Sequence, residues 1–273
     1  MVINEKKPVK TMVVKSNLPA SDYVVNPYVG CPHQCMYCYA SFMKRFTQHK
    51  EPWGSFLDVK EFETMGKSDL TGKVVLISSV TDAYNPYEKK YQLMPDILNN
   101  LDLRNANIEI LTKSSLVLRD VNLLKKLKNI KVGISMNTLD DTFRKRVEPA
   151  ASSVKERLRT LKELKENTIP TYLFVAPIFP EITNVAQIVK ETEGFVDEYG
   201  FENLNLSGNE KRQVMNLIAN YYPEKQYIYE KIYENGDEHY WDKVEKDIEN
   251  LFLNKEKRVN LYFYHKRRRK NGN

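Results

Sequence analysis

Short apolar runs rich in β-branched residues alternate with amphipathic helical patterns along most of this chain of 273 residues, and that alternation leaves few folds open. KVVLISS (73–79) precedes a helical pattern from about Tyr87 to Leu101. NIEILT (107–112) precedes RDVNLLKKLKN (119–129), and KVGISMN (131–137) precedes VKERLRTLKELKEN (154–167). TYLFVAPI (171–178) precedes TNVAQIVKETEGFVDEYG (183–200), and ENLNLS (202–207) precedes a helical stretch from about Asn209. Continuous apolar strands alternating with helices of this length read as βαβ units on a parallel sheet. With a first strand near Tyr23–Val29 the count is about six repeats, short of the eight in a closed barrel. The expectation is an α/β fold, a partial (β/α)6 TIM-type barrel over 23–208. An N-terminal arm (1–22) precedes it. A mainly helical C-terminal extension (209–273) packs on it, read as two or three helices, the strand-like RVNLYFYH and a basic tail at 266–273.

Composition narrows the class further. The chain is 41% hydrophobic and 29% charged, ordinary for a globular protein. Its net charge is +6 and its pI is near 8.9, basic but too little by itself to indicate nucleic acid. Part of that charge sits in KRRRK (266–270). Glu5, Lys6 and Lys7 interrupt the N-terminus where a secretion signal needs an apolar run, and no apolar stretch approaches the ~18 residues of a membrane helix. A cytoplasmic protein without a membrane anchor is expected.

The chemistry concentrates in NPYVGCPHQCMYCYASF (26–42). Cys31, Cys35 and Cys38 are all the cysteines of the chain, spaced C-x3-C-x2-C at the end of the first expected strand. Such a cluster is not a disulfide framework. Buried structural cysteines are one reading, at odds with a loop that also holds Pro32, His33 and Gln34. A structural zinc is a second, and needs His33 or His49 as fourth ligand. An iron–sulfur cluster on three thiolates is the third and the one favoured here. Three cysteines leave one iron of a 4Fe-4S cubane without a protein ligand, open to a substrate or cofactor.

C-x3-C-x-aromatic-C at the end of the first strand of a partial barrel resembles the radical S-adenosylmethionine (SAM) superfamily. NPYVGCPHQCMYCYA, SSVTDAYNPYE, ILTKSSLVLRD, VGISMNTLD, EPAASSVKERL and VAPIFPEITN occur in that order, from about Tyr23 to Ser207. The set is similar to the branch that includes spore photoproduct lyase. SFMKRFTQHKEPWGSFLDVK (41–60) further resembles the radical SAM "mobile pair" proteins. The resemblance implies an oxygen-sensitive enzyme with a 4Fe-4S cluster on Cys31, Cys35 and Cys38. The cluster reductively cleaves SAM to a 5′-deoxyadenosyl radical, which abstracts hydrogen from a substrate. A reductant such as flavodoxin or ferredoxin is implied, and a sister radical SAM protein is a further candidate partner.

The resemblance also nominates SAM-binding residues at the C-terminal strand ends, where parallel barrels hold their sites. Tyr37 would lie by the adenine. Ser79, Thr81 or Asp82 would take the amino group, because the Gly-Gly-Glu usual in the superfamily is missing after the second strand. Lys113 would face the carboxylate through a charge-assisted bond; its plain alternative is an exposed lysine at a strand end. Ser135 would reach the carboxylate or ribose. Glu148, set before Pro149, would bond ribose hydroxyls. Arg157 is either part of the site or an ordinary member of a charged helix, and Pro177 and Pro180 shape the turn after the fifth strand.

One departure matters. In spore photoproduct lyase a cysteine near the end of the second strand returns hydrogen to the product. The matching segment here is Ser78-Ser79, and no cysteine lies outside the cluster. A serine O–H does not replace a thiol S–H as hydrogen donor, so Tyr84 and Tyr87, among 17 tyrosines, are the candidates. The alternatives carried forward are a nucleic-acid repair or modification enzyme lacking the cysteine relay, possible but not favoured, and a non-catalytic cluster-based redox sensor.

Overall fold

The computed structural model describes residues 1–62 and 64–263; the basic tail at 266–273 lies outside them. The first strands are β1 (Val2–Val9), β2 (Val13–Lys15), β3 (Tyr23–Val25), β4 (Tyr28–Val29) and β5 (Phe56–Phe62). Then come β6 (Val74–Ile77), β7 (Asn107–Thr112), β8 (Ile130–Ser135), β9 (Thr171–Ile178), β10 (Glu198–Asn203) and β11 (Arg258–Tyr262). The main sheet runs β11-β10-β9-β8-β7-β6-β3-β2, parallel throughout except for the β2–β3 pair. Each parallel strand lies beside its successor, as βα repeats require. The sheet does not close, so the fold is an open, partial barrel.

The helices are α1 (Glu88–Tyr91), α2 (Leu93–Leu103), α3 (Val121–Leu124), α4 (Asp141–Val147), α5 (Val154–Glu166) and α6 (Val185–Thr192). After β10 come α7 (Gly208–Tyr221), α8 (Gln226–Tyr233) and α9 (His239–Phe252). The core follows the strand pattern: Val75, Ile77, Ile108, Ile110, Val132, Ile134, Leu173 and Val175 are all fully buried. The helix starts are written in the sequence. Ser153 and Glu156 form a reciprocal capping box at α5, with Glu156 N donating to Ser153 Oγ at 3.3 Å and Ser153 N to Glu156 Oε2 at 2.8 Å. Asp140 caps α4 through Thr142 N at 2.7 Å.

Four details differ from the sequence expectation. The first strand is broken at Asn26-Pro27, and β4 leaves the main sheet to pair with β5 in a second sheet ordered β1-β5-β4. Pro27 has no N–H to continue a ladder, and its carbonyl instead accepts from Lys60 N at 3.1 Å. The helix expected from Tyr87 breaks at Gln92, which has φ 49°. The buried Glu88 carboxylate explains the break, since it accepts the Leu93 and Met94 amides at 3.1 and 3.0 Å and so caps α2. The helix expected over 183–200 ends at Thr192, because Tyr199 and Phe201, two apart and both fully buried, belong to a strand. Finally, the expectation is about six βα repeats, and the main sheet holds seven mutually parallel strands among the described residues. RVNLY pairs in parallel with β10, so the last element extends the barrel sheet.

The capping box gives a stability test. Ser153→Ala should destabilise the protein by about 1 kcal/mol, a fall in Tm of roughly 2–4 °C for a domain of this size. Thermal unfolding followed by circular dichroism measures it.

Candidate active site

The cysteine loop is pinned from three sides. Gly30, just before it, has φ +85°, and a Cβ there would stand 2.3 Å from the Phe56 carbonyl oxygen. Only glycine combines that backbone angle with so close an approach. Within the loop Gln34 N donates to Cys31 O at 3.4 Å and Cys38 N to Cys35 O at 3.2 Å. Met36 N donates to Val147 O at 2.9 Å, which ties the loop to the end of α4, and Ala150 N to His33 O at 3.4 Å.

All three cysteines are free and half-buried. Burial pushes the Cys31 thiol up to about 12, with the Asp82 charge adding to it. Burial also raises the Cys35 and Cys38 thiols. Such thiols keep their protons near neutrality until a metal displaces them. The donor chemistry fits a 4Fe-4S cluster: three unpaired thiols on one loop, with the Lys113 charge close enough to favour Cys35 as thiolate. The histidines are engaged elsewhere. His33 Nδ1 lies 3.4 Å from Asp82 Oδ2, and His49 Nε2 lies 2.8 Å from Asp58 Oδ1 while its ring stacks on Phe56.

Behind the loop lies a buried polar frame built on the strand ends. The Arg157 side chain is fully buried on α5 and pairs with the equally buried Glu148. Its Nη1 donates to the Ser135 carbonyl at 2.8 Å and its Nε to the Ser152 carbonyl at 2.9 Å. Glu148 also accepts the Tyr37 hydroxyl. Burial would raise the Glu148 carboxyl, but the Arg157 and Lys113 cations hold it below its ordinary range. Burial, then the Glu148 charge, raises Tyr37, which stays a neutral donor. Lys113 Nζ is 6.0 Å from the Tyr37 ring centroid, and the ring meets Phe179 edge-on at 5.6 Å. Burial alone would lower Lys113, but the Cys35 and Glu148 charges outweigh it, so its pKa is raised and it stays a cation.

The structure thus brings Tyr37, Lys113, Glu148 and Arg157 together. Ser135 joins mainly through its carbonyl, while its hydroxyl donates to the Ala176 carbonyl at 3.4 Å. Ser79, Thr81 and Asp82 are already occupied. Ser79 Oγ accepts from Asn26 Nδ2 at 2.9 Å and its carbonyl accepts the Tyr39 hydroxyl. Thr81 donates to the Gly30 carbonyl at 2.8 Å. Asp82 accepts from Tyr84 N, the Thr112 hydroxyl and Lys113 N at 2.7–2.9 Å, a strut between two strand ends. Tyr84 is fully buried with its hydroxyl 3.1 Å from Asp120, and Tyr87 packs on the Tyr28–Leu57–Val59 cluster. Neither phenol shares a hydrogen bond with the Tyr37–Glu148 group among the described residues. Sequence reasoning missed Asn137, which is fully buried and donates weakly to Glu148 and Tyr37 at 3.3 and 3.4 Å. Its place two residues after Ser135, at a strand end, was the available signal.

The Radical SAM superfamily profile matches residues 25–192. The chain belongs to the Radical SAM superfamily. An uncharacterised protein of Methanocaldococcus jannaschii is 40% identical over 224 residues, which is 81% of this chain and 83% of that one. An uncharacterised protein of Acidianus two-tailed virus is 33% identical over 182 residues, 62% of this chain and 60% of that one. Among solved structures, a cysteine variant of spore photoproduct lyase superposes with a TM-score of 0.65 at 15% identity, covering 96% of this chain and 82% of the lyase. Another lyase variant, with bound AdoMet and dinucleoside spore photoproduct, gives 0.57 at 14% identity, covering 81% of this chain and 66% of that one. Streptococcus suis SuiB bound to S-adenosylmethionine gives 0.53 at 13% identity, over 88% of this chain and 49% of SuiB. These structural likenesses are likenesses of fold. No helix among the described residues is long and apolar enough to cross a membrane.

The buried frame predicts a pH effect. A carboxylate whose folded pKa is depressed contributes stability above its unfolded pKa, and loses it as pH falls through the folded value. Glu148→Gln should therefore cost about 3–5 kcal/mol at neutral pH, because Arg157 is left buried without its counter-charge. The gap from the wild type should narrow below pH 4.5, the ordinary value for a glutamate. Denaturant unfolding at several pH values, on protein without cluster, measures both.

Proposed function

We propose that this protein is a radical SAM enzyme that holds a 4Fe-4S cluster on Cys31, Cys35 and Cys38 and cleaves SAM reductively to act on a substrate by hydrogen abstraction. The observation that carries the reading is the set of three free thiols facing a strand-end frame that offers one cation, one aromatic face and one carboxylate. When bound, cluster and SAM supply an electron transfer that yields a 5′-deoxyadenosyl radical.

The chain's own residues supply position. Lys113 faces the methionine carboxylate of SAM as a charge-assisted donor. The Tyr37 face takes the adenine, with its hydroxyl anchored by Glu148 so that the ring cannot turn away. Arg157 and Asn137 hold Glu148, and through it Tyr37. Glu148 retains acceptor capacity for a ribose hydroxyl, since a carboxylate offers about four lone-pair sites. Ser79, Thr81 and Asp82 act chiefly by shaping the loop and the Lys113 backbone, and an outside amino group would have to share their acceptors. Cys31, Cys35 and Cys38 would hold the cluster and leave one iron without a protein ligand, where SAM would bind, and an external one-electron reductant would complete the system.

The test is anaerobic incubation of cluster-loaded protein with SAM and dithionite. Formation of 5′-deoxyadenosine is expected, and each of Cys31→Ala, Cys35→Ala and Cys38→Ala should abolish it together with the 4Fe-4S signal. Fully loaded wild-type protein that makes no 5′-deoxyadenosine would overturn the reading. A second expectation concerns Lys113→Met. Loss of a hydrogen bond between charged groups should weaken SAM binding roughly 10- to 100-fold, with iron content unchanged, in equilibrium binding measurements.

A further inference from the structure

Cys38 leads directly into a 3-10 helix, Tyr39–Phe46. Ser41 N donates to Cys38 O at 3.2 Å, so the helix grows out of the cysteine loop itself. Its position is fixed by the barrel. The Tyr39 hydroxyl donates to the Ser79 carbonyl beyond the end of β6, and the Ser41 hydroxyl donates to Glu210 in the first turn of α7. Past the helix, Lys44 Nζ donates to the Lys50 carbonyl at 3.0 Å, and His49 Nε2 is held 2.8 Å from the buried Asp58.

Three large rings on this short helix face outward: Tyr39, Phe42 and Phe46 are 61%, 44% and 68% exposed. Single apolar residues on a surface are ordinary, but a cluster of them marks an interaction site. The Arg45 guanidinium lies over both phenylalanines, 5.3 Å from the Phe42 ring centroid and 4.7 Å from that of Phe46. Residues 39–50 hold three cations, Lys44, Arg45 and Lys50, and no carboxylate. The carboxylate that follows, Glu51, turns to His49 at 3.4 Å. Aromatic and Arg side chains are what protein interfaces concentrate, and the sign of the charge complements an acidic partner. A single-stranded nucleic acid fits this face less well. Base stacking needs open ring faces, whereas Arg45 covers one face of each phenylalanine and the two rings meet edge-on at 6.4 Å.

We propose that the Tyr39–Phe46 face is the docking surface for a small acidic one-electron carrier protein that reduces the cluster. The assignment rests on the cluster reading given under Proposed function, which requires an outside reductant. Electron tunnelling falls steeply with distance, so a carrier must dock against the cysteine loop, and this face starts one residue after Cys38. One electron passes from the carrier's reduced centre to the cluster, with no bond formed or broken. The cations steer the approach of the acidic carrier. The rings exclude water at the centre of a contact that stays small, as electron-transfer encounters do. Because the helix is already held at Ser79 and Glu210, docking costs little ordering.

The experiment is anaerobic stopped-flow reduction of cluster-loaded protein by an acidic flavodoxin in its hydroquinone state, beside reduction by dithionite. The wild-type rate constant with flavodoxin should fall steeply as salt is raised, because exposed charges are screened. At low salt, Arg45→Glu combined with Lys50→Glu should lower that rate constant about tenfold. Phe42→Ala combined with Phe46→Ala should lower it as well, at equal iron content. Reduction by dithionite should stay unchanged in both variants, which separates lost docking from a damaged cluster site. Arg45→Gln and Phe46→Ser take the same measurements if either pair loads poorly. A flavodoxin rate that ignores salt, or that survives both pairs of substitutions, would overturn the proposal. So would an equal loss with dithionite, since the helix would then build the site rather than receive a carrier. Loss of single-stranded DNA binding with the flavodoxin rate intact would overturn it in favour of a nucleic-acid surface. Loaded wild-type protein that makes no 5′-deoxyadenosine even with dithionite would instead contradict the enzyme reading itself.

Discussion

The Arg157 guanidinium holds the mouth of this barrel together. It reaches from α5 to the Ser135 carbonyl at the end of β8, the Ser152 carbonyl ahead of the helix and the Glu148 carboxylate. Without that cation Glu148 would be a buried charge with too little compensation, and Tyr37 would lose the acceptor that fixes its ring. A buried pair of this kind is a poor source of net stability, because desolvation offsets most of the attraction. Its value here is geometric. It connects the cysteine loop, through Tyr37, to the strand ends that carry Lys113 and Ser135.

A second frame works from the opposite side. Asp82 ties the ends of β6 and β7 by accepting from Tyr84 N, Thr112 and Lys113 N, and it meets His33 inside the cysteine loop. Thr81 holds the Gly30 carbonyl. The small sheet then backs the loop, with Phe56 filling the space that Gly30 leaves open. The loop thus rests between two polar struts and one apolar wall. This rigidity suits a site whose three ligands must be set before metal arrives.

Much of this was legible in the sequence, for definite reasons. The parallel barrel could be read because its strands appear as short apolar runs rich in β-branched residues that alternate with helical patterns. The cysteines could be read because their C-x3-C-x2-C spacing is a local pattern that needs no tertiary information. Glu148 and Arg157 were named, but their direct pairing depends on a turn between α4 and α5 that no local pattern reveals. Ser79, Thr81 and Asp82 were nominated as ligand contacts, and their polar atoms are engaged by side-chain and backbone partners far away in sequence. RVNLY reads as strand-like in the sequence, but its place in the main sheet was hidden because it lies far along the chain from its partner β10.

On the reading proposed above, three cysteines would leave one cluster iron open for SAM. Electron paramagnetic resonance of the reduced, cluster-loaded protein, recorded with and without saturating SAM, tests it most directly. SAM is expected to change the g-values of the 4Fe-4S signal, because its amino and carboxylate groups would join the iron that no cysteine holds. Identical spectra under conditions where SAM is shown to be bound would contradict it.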